Sequence, residues 1–173
     1  MKVSAASGSS DMYLYQGSST VTPYIAWHRP SGHRVGYLGY SATDMTMHLE
    51  NNAKFIVSNG RVTVKKASNS EVTALTSSSA STAVDMDAAN NFSLALAENT
   101  TLAQPTNITA GQSGAIVITQ DATGSRTMAY NAYWKFEGGT APVLSTTGGQ
   151  VDTLAYYVAS ATSIHAVLLK NMS

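Results

Sequence analysis

The stretch "QDATGSRTMAYNAYWKFEGGTAP", Gln120 to Pro142, brings several polar and aromatic side chains close together. Asp121 and Arg126 set a carboxylate and a guanidinium a few positions apart, a pair able to bond sugar hydroxyls. Asn131, Tyr133 and Glu137 follow with an amide, a ring and a second carboxylate. Flat rings stack on the apolar faces of sugars, and neighbouring polar groups then fix the hydroxyls. These five residues are the candidate receptor contacts. The same letters also describe a fixed hairpin loop, because Asp and Gly are favoured turn residues. No two of these groups pair as nucleophile and base.

Catalytic patterns elsewhere are weak. Asp85 and Asp87 would share a face of a strand, since side chains alternate with period two. A glycosidase needs two carboxylates about 5–10 Å apart across a cleft, and nothing in the sequence indicates one. His28, His33 and His48 are numerous enough for a zinc site, but turn and strand positions account for them better. "GQSGA" lacks the spacing of a nucleophile elbow, and no phosphate-binding glycine motif occurs. The expectation is a protein that is not an enzyme, with no cofactor and no metal.

The elements holding these residues are strands. Short alternating runs bounded by Gly, Asn, Ser or Asp predict strands near Met12–Tyr15, Tyr24–His28, Arg34–Tyr40, Met45–Glu50, Lys54–Val57 and Arg61–Lys65. "RPSGHR" and "ENNAK" read as turns, and Asn-Gly at 59–60 as a hairpin turn. Residues 67–82 are rich in Ser and Thr and read as a linker carrying a short strand at Val72–Leu75. A second series follows at Ala83–Asp87, Phe92–Glu98, Ala115–Gln120, Arg126–Tyr130, Tyr133–Phe136, Val151–Ala159 and Ser163–Lys170. Leu154, Tyr156 and Val158 fall on one face of their run, and Trp134 and Phe136 on one face of theirs. Both sets are candidate core. The predicted fold is all-β, with an N-terminal unit over 1–66 and a C-terminal β-sandwich or jelly-roll over 83–173.

Composition narrows the class. The 173 residues are 43% apolar but only 12% charged, with zero formal net charge. Charged residues usually make up ~25%. A chain with this balance has no electrostatic footprint for nucleic acid or an anionic membrane, and little charge to oppose self-association. The chain has no Cys, so disulfides are excluded. "MKVSAASGSS" lacks the apolar core of a signal peptide, which points to synthesis in a cytoplasm, and no run suggests membrane insertion.

One resemblance is more specific. "GQSGAIVITQD", "TGSRT", the Trp-Lys-Phe strand, "GGTAPVLSTT" and "VDTLAYY" occur in this order between Gly111 and Tyr157. The series resembles the C-terminal β-domain common in tail and fibre proteins of tailed bacteriophages and prophages. "FSLALAENTTLAQPTNITAG" looks like that domain's opening strands. More loosely, "RVGYLGY" followed by "LEN" is similar to a small module of phage fibres. The resemblance implies a virion protein, made in the host cytoplasm and usually homotrimeric. Its partners would be other virion proteins and a host-surface glycan. The alternative is a capsid decoration or head-fibre protein with a purely structural role.

Overall fold

The computed structural model describes residues 2–3, 11–15, 24–40, 45–50, 55, 57 and 61–172. The all-β expectation holds: the one helical element among these residues is a single 3-10 turn at Glu137–Gly139. None is long and apolar enough to cross a membrane. The chain divides into two units, Met1–Lys65 and Lys66–Ser173.

The first unit is an antiparallel meander of β1 (Lys2–Val3), β2 (Asp11–Tyr15), β3 (Tyr24–His28), β4 (Arg34–Tyr40) and β5 (Met45–Leu49), adjacent in that order. The turn between β3 and β4 closes because Gly32 adopts a φ of 84°, a region glycine enters without steric cost. The Gly32 N–H then donates to the Arg29 carbonyl at 2.8 Å, and the Arg29 N–H to the His33 carbonyl at 2.9 Å. Of the strand expected over Lys54–Val57, only Phe55 and Val57 are described. The Asn-Gly turn and most of "ENNAK" lie outside the described residues. Arg61–Lys65, expected as a strand, is not part of any strand, and it pairs with none of the described sheet residues. Its alternating valines, Val62 and Val64, are exposed, so the pattern there buries no face.

The second unit has two sheets. The strands are β6 (Val72–Leu75), β7 (Ser77–Ser78), β8 (Ser81–Thr82), β9 (Asn91–Ala95), β10 (Thr100–Leu102), β11 (Ser113–Thr119), β12 (Met128–Tyr130), β13 (Trp134–Lys135), β14 (Val151–Ser160) and β15 (Ser163–Leu169). A six-stranded sheet runs β13-β15-β14-β11-β9-β6, and a four-stranded one β12-β10-β8-β7. From β6 to β13 the chain passes back and forth between them. Neighbours within each sheet are therefore successive passes of one coil. Most of these pairs run parallel, as in β6 beside β9, β9 beside β11, β8 beside β10 and β10 beside β12, while β7 beside β8 and β11 beside β14 are antiparallel. A jelly-roll is antiparallel, so that half of the expectation gives way to a two-sheet coil. An antiparallel β14–β15 hairpin finishes the larger sheet.

The Ser/Thr-rich 67–82 stretch does more than link. Its β6 forms an edge of the larger sheet, and β7 and β8 start the smaller one. Ala83–Asp87 corrects another expectation. Val84 and Met86 are buried as alternation requires, but the segment makes only an isolated bridge between Asp85 and Thr106 and then turns. Between the sheets lies one core of Phe92, Leu94, Ile116, Leu154, Val158 and Ile164 from one side, with Leu102 and Met128 from the other. Trp134 joins it, 4% exposed. Its indole N–H donates to the Ala103 carbonyl at 3.2 Å and its ring meets Tyr156 edge-on. Phe136 packs partly buried against that core, edge-on to Tyr130.

Candidate functional site

Asp121 and Arg126 do meet. The loop after β11 turns at Gly124, whose φ of 72° suits glycine. A Cβ there would also overlap the Thr146 carbonyl of the neighbouring loop. In that turn Oδ1 of Asp121 accepts from the Gly124 N–H at 2.8 Å. Oδ2 accepts from Nε and Nη2 of Arg126, both at 2.7 Å. The Arg126 guanidinium holds the Asp121 carboxyl below the usual carboxylate range, against some desolvation, and the Gly124 N–H adds to the effect. The pair is a loop clasp, and its bonding capacity is largely used internally.

Two buried polar residues that sequence reasoning missed complete the clasp. Gln120 donates through Nε2 to the carbonyls of Arg126 and Ser145, both at 2.8 Å, and accepts from the Arg126 N–H at 3.0 Å. Asp152 accepts from the Ser145 N–H and hydroxyl, both at 2.7 Å, and from the Asn171 N–H at 2.8 Å. Gln120 and Asp152 are 4% and 2% exposed. Buried polar groups need partners, and here those partners are three separate loops. A polar residue at an inward position of an alternating run was the available signal: Asp152 shares its parity with Leu154 and Tyr156.

Asn131, Tyr133 and Glu137 lie further along the chain. Asn131 accepts through Oδ1 from the Tyr133 N–H at 3.1 Å, which shapes the turn into β13. Glu137 is exposed in the 3-10 turn. No hydrogen bond or ion pair connects these three side chains with the Asp121–Arg126 clasp. Glu137 does line a shallow depression with Lys135, Phe136, His165 and Ala166. A second depression beside it is bordered by Ala155, Tyr157, His165 and Val167. Strand register places Lys135, His165, Tyr157 and Ser113 in one row across the sheet.

The other candidates take structural places. Asp85 accepts from the side chain of Asn107 at 2.8 Å and from the Asp87 N–H at 3.0 Å. Those two bonds, Asn107's first, hold its carboxyl below the usual range. Asp85 and Asp87 thus form a turn rather than two acids on one strand face. In the first unit, the ring of His48 stacks on Tyr37 at 5.1 Å. Nδ1 of His28 donates to the Gly32 carbonyl at 2.9 Å. Arg34 pairs with Glu50 and lies over the Tyr37 ring. Among the described residues, no three His, Cys, Asp or Glu converge as metal ligands.

Comparison of the chain with protein-family models, curated proteins and solved structures found no match.

Proposed function

We propose that the chain is a structural protein of a bacteriophage particle, a tail fibre or spike component that mediates attachment to the host surface. The observation carrying this reading is the ordered motif series from Gly111 to Tyr157. It resembles the phage tail β-domain, and it falls within a single folding unit. The way polar groups are used supports a scaffold role: Gln120, Asp121, Arg126 and Asp152 tie loops to strands. In this reading the protein is a homotrimer joined to other virion proteins. Host glycan is met by the exposed side of the second unit, where Tyr133 and Glu137 are better placed than the internally satisfied Asp121 and Arg126.

Antibody against the second unit, imaged on particles by immunogold electron microscopy, tests the proposal. Label on tails, together with reduced phage adsorption after cells are preincubated with the purified protein, is the expected result. Label on capsomers would replace it with the decoration reading. Particles free of label would overturn both.

A further inference from the structure

The outward face of the six-stranded sheet is unlike an ordinary solvated surface. Strands of a sheet with one wet face usually alternate apolar-in, polar-out. Here the outward positions of the central strands are largely apolar or small. Val117, Tyr157, Val167 and Leu169 are 38%, 51%, 52% and 45% exposed. Register makes the patch continuous. Val167, Ala155, Ala115, Asn91 and Val72 form one row, and Leu169, Thr153, Val117, Ser93 and Ala74 the next. The smaller sheet differs: its outward row is Ser81, Thr101 and Ala129.

We propose that this face is where copies of the chain meet, the six-stranded sheet of each copy turned towards a shared axis. The inference rests on the reading of the chain as an assembling virion protein and names the surface that assembles it. Charge selects the occupant. Among the outward residues of these strands, Lys135 alone is a Lys, Arg, Asp or Glu, and it stands on the edge strand β13. Residues nearest the axis meet their own copies, where like charges would repel, and this face carries almost none. A charged partner would call for complementary groups that this face lacks. Size agrees. Six strands ~4.8 Å apart and runs of about seven residues at ~3.3 Å give roughly 500 Å² in projection, allowing for the shorter edge strands. Two faces reach the ~1,000 Å² expected of a specific interface. Small residues such as Ala115 and Ala155 lie between larger ones such as Val117 and Val167, leaving gaps into which an opposing sheet's side chains can settle, as in stacked sheets ~10 Å apart.

The test is the mass of the intact chain by sedimentation at micromolar concentration, for the parent, Val117→Glu, Val117→Lys and an equal mixture of the two variants. Leu169→Glu serves as a second site if either variant loses the parent's circular dichroism spectrum. The parent is expected to sediment as a multiple of 18.1 kDa. Each variant alone should dissociate with a constant raised about 100-fold or more, because like charges facing each other cost several kcal/mol. The Glu–Lys mixture should recover the parent's mass. Folded variants that keep the parent's mass would overturn the proposed face while leaving an assembling virion protein intact. A monomeric parent would overturn the self-association itself, and immunogold labelling decides the virion reading separately.

Discussion

Replacing Gln120 with Ala probes the reasoning most directly, because a neutral buried side chain carries the clasp. The substitution removes three hydrogen bonds and leaves the Arg126 N–H, the Arg126 carbonyl and the Ser145 carbonyl without their protein partner. A buried donor left unsatisfied costs about 1–3 kcal/mol, and each lost bond otherwise about 0.5–1.5 kcal/mol. Water entering through the exposed neighbours Thr123 and Ser125 would repair part of this. The expected loss is therefore about 3 kcal/mol. In a unit of this size that lowers Tm by roughly 12 °C. Urea unfolding followed by Trp134 fluorescence, in a Trp27→Phe background, reads the second unit alone. Thr123→Ala, three positions along and exposed, should change stability by less than about 0.5 kcal/mol. A Gln120→Ala loss below about 1 kcal/mol would refute the clasp as a stabilising device.

Trp134→Ala should cost about 3–5 kcal/mol by leaving a cavity in the core, measured by urea unfolding followed by circular dichroism. Gly114→Ala should destabilise by about 3 kcal/mol, because a Cβ there overlaps the Asn90 carbonyl, which also accepts from the Tyr156 hydroxyl; calorimetry checks it. Burial pushes Tyr130 and Tyr156 up to about 12, with nearby Asp152 adding to the shift at Tyr130. Their contribution to stability should be complete below pH 10 and lost as pH rises toward 12, with two late tyrosines visible in an ultraviolet titration. At the acid end the sign reverses. Asp85 and Asp121 sit below the normal range when folded, so their contribution is present above about pH 4 and disappears as pH falls further. Asp121→Asn should flatten that acid limb.

Several parts of this arrangement are legible in the letters, and the exceptions have physical causes. Alternation located β14 because its two faces meet different environments, one in the core and one outward. The same signal over Ala83–Asp87 implied a ladder that the chain does not form, although Val84 and Met86 are buried. Period-two burial reports which side faces the core, while pairing depends on a neighbour supplied from far away. Thr100–Leu102 is too short to show a period at all. Parallel order was hidden for a related reason: which strand lies beside β9 is decided by where the coil returns. At the site, Asp121 and Arg126 are close in sequence, and a binding pair and a fixed turn were both readable there. Gln120 and Asp152 were not, since their partners at Ser145 and Asn171 come from other loops.

The position of β15 between β14 and β13 has a consequence for synthesis. Strand β13 carries Trp134 into the core, but its one neighbour in the sheet is made almost thirty residues later. Until 163–169 emerge from the ribosome, β13 and the bare side of β14 are open edges, and open edges pair with whatever strand is nearest. During translation, at roughly 5–20 residues per second, that exposure lasts on the order of seconds. Neighbouring nascent chains on one message expose the same edges. A chaperone that shields them until the hairpin closes would raise the yield of folded protein.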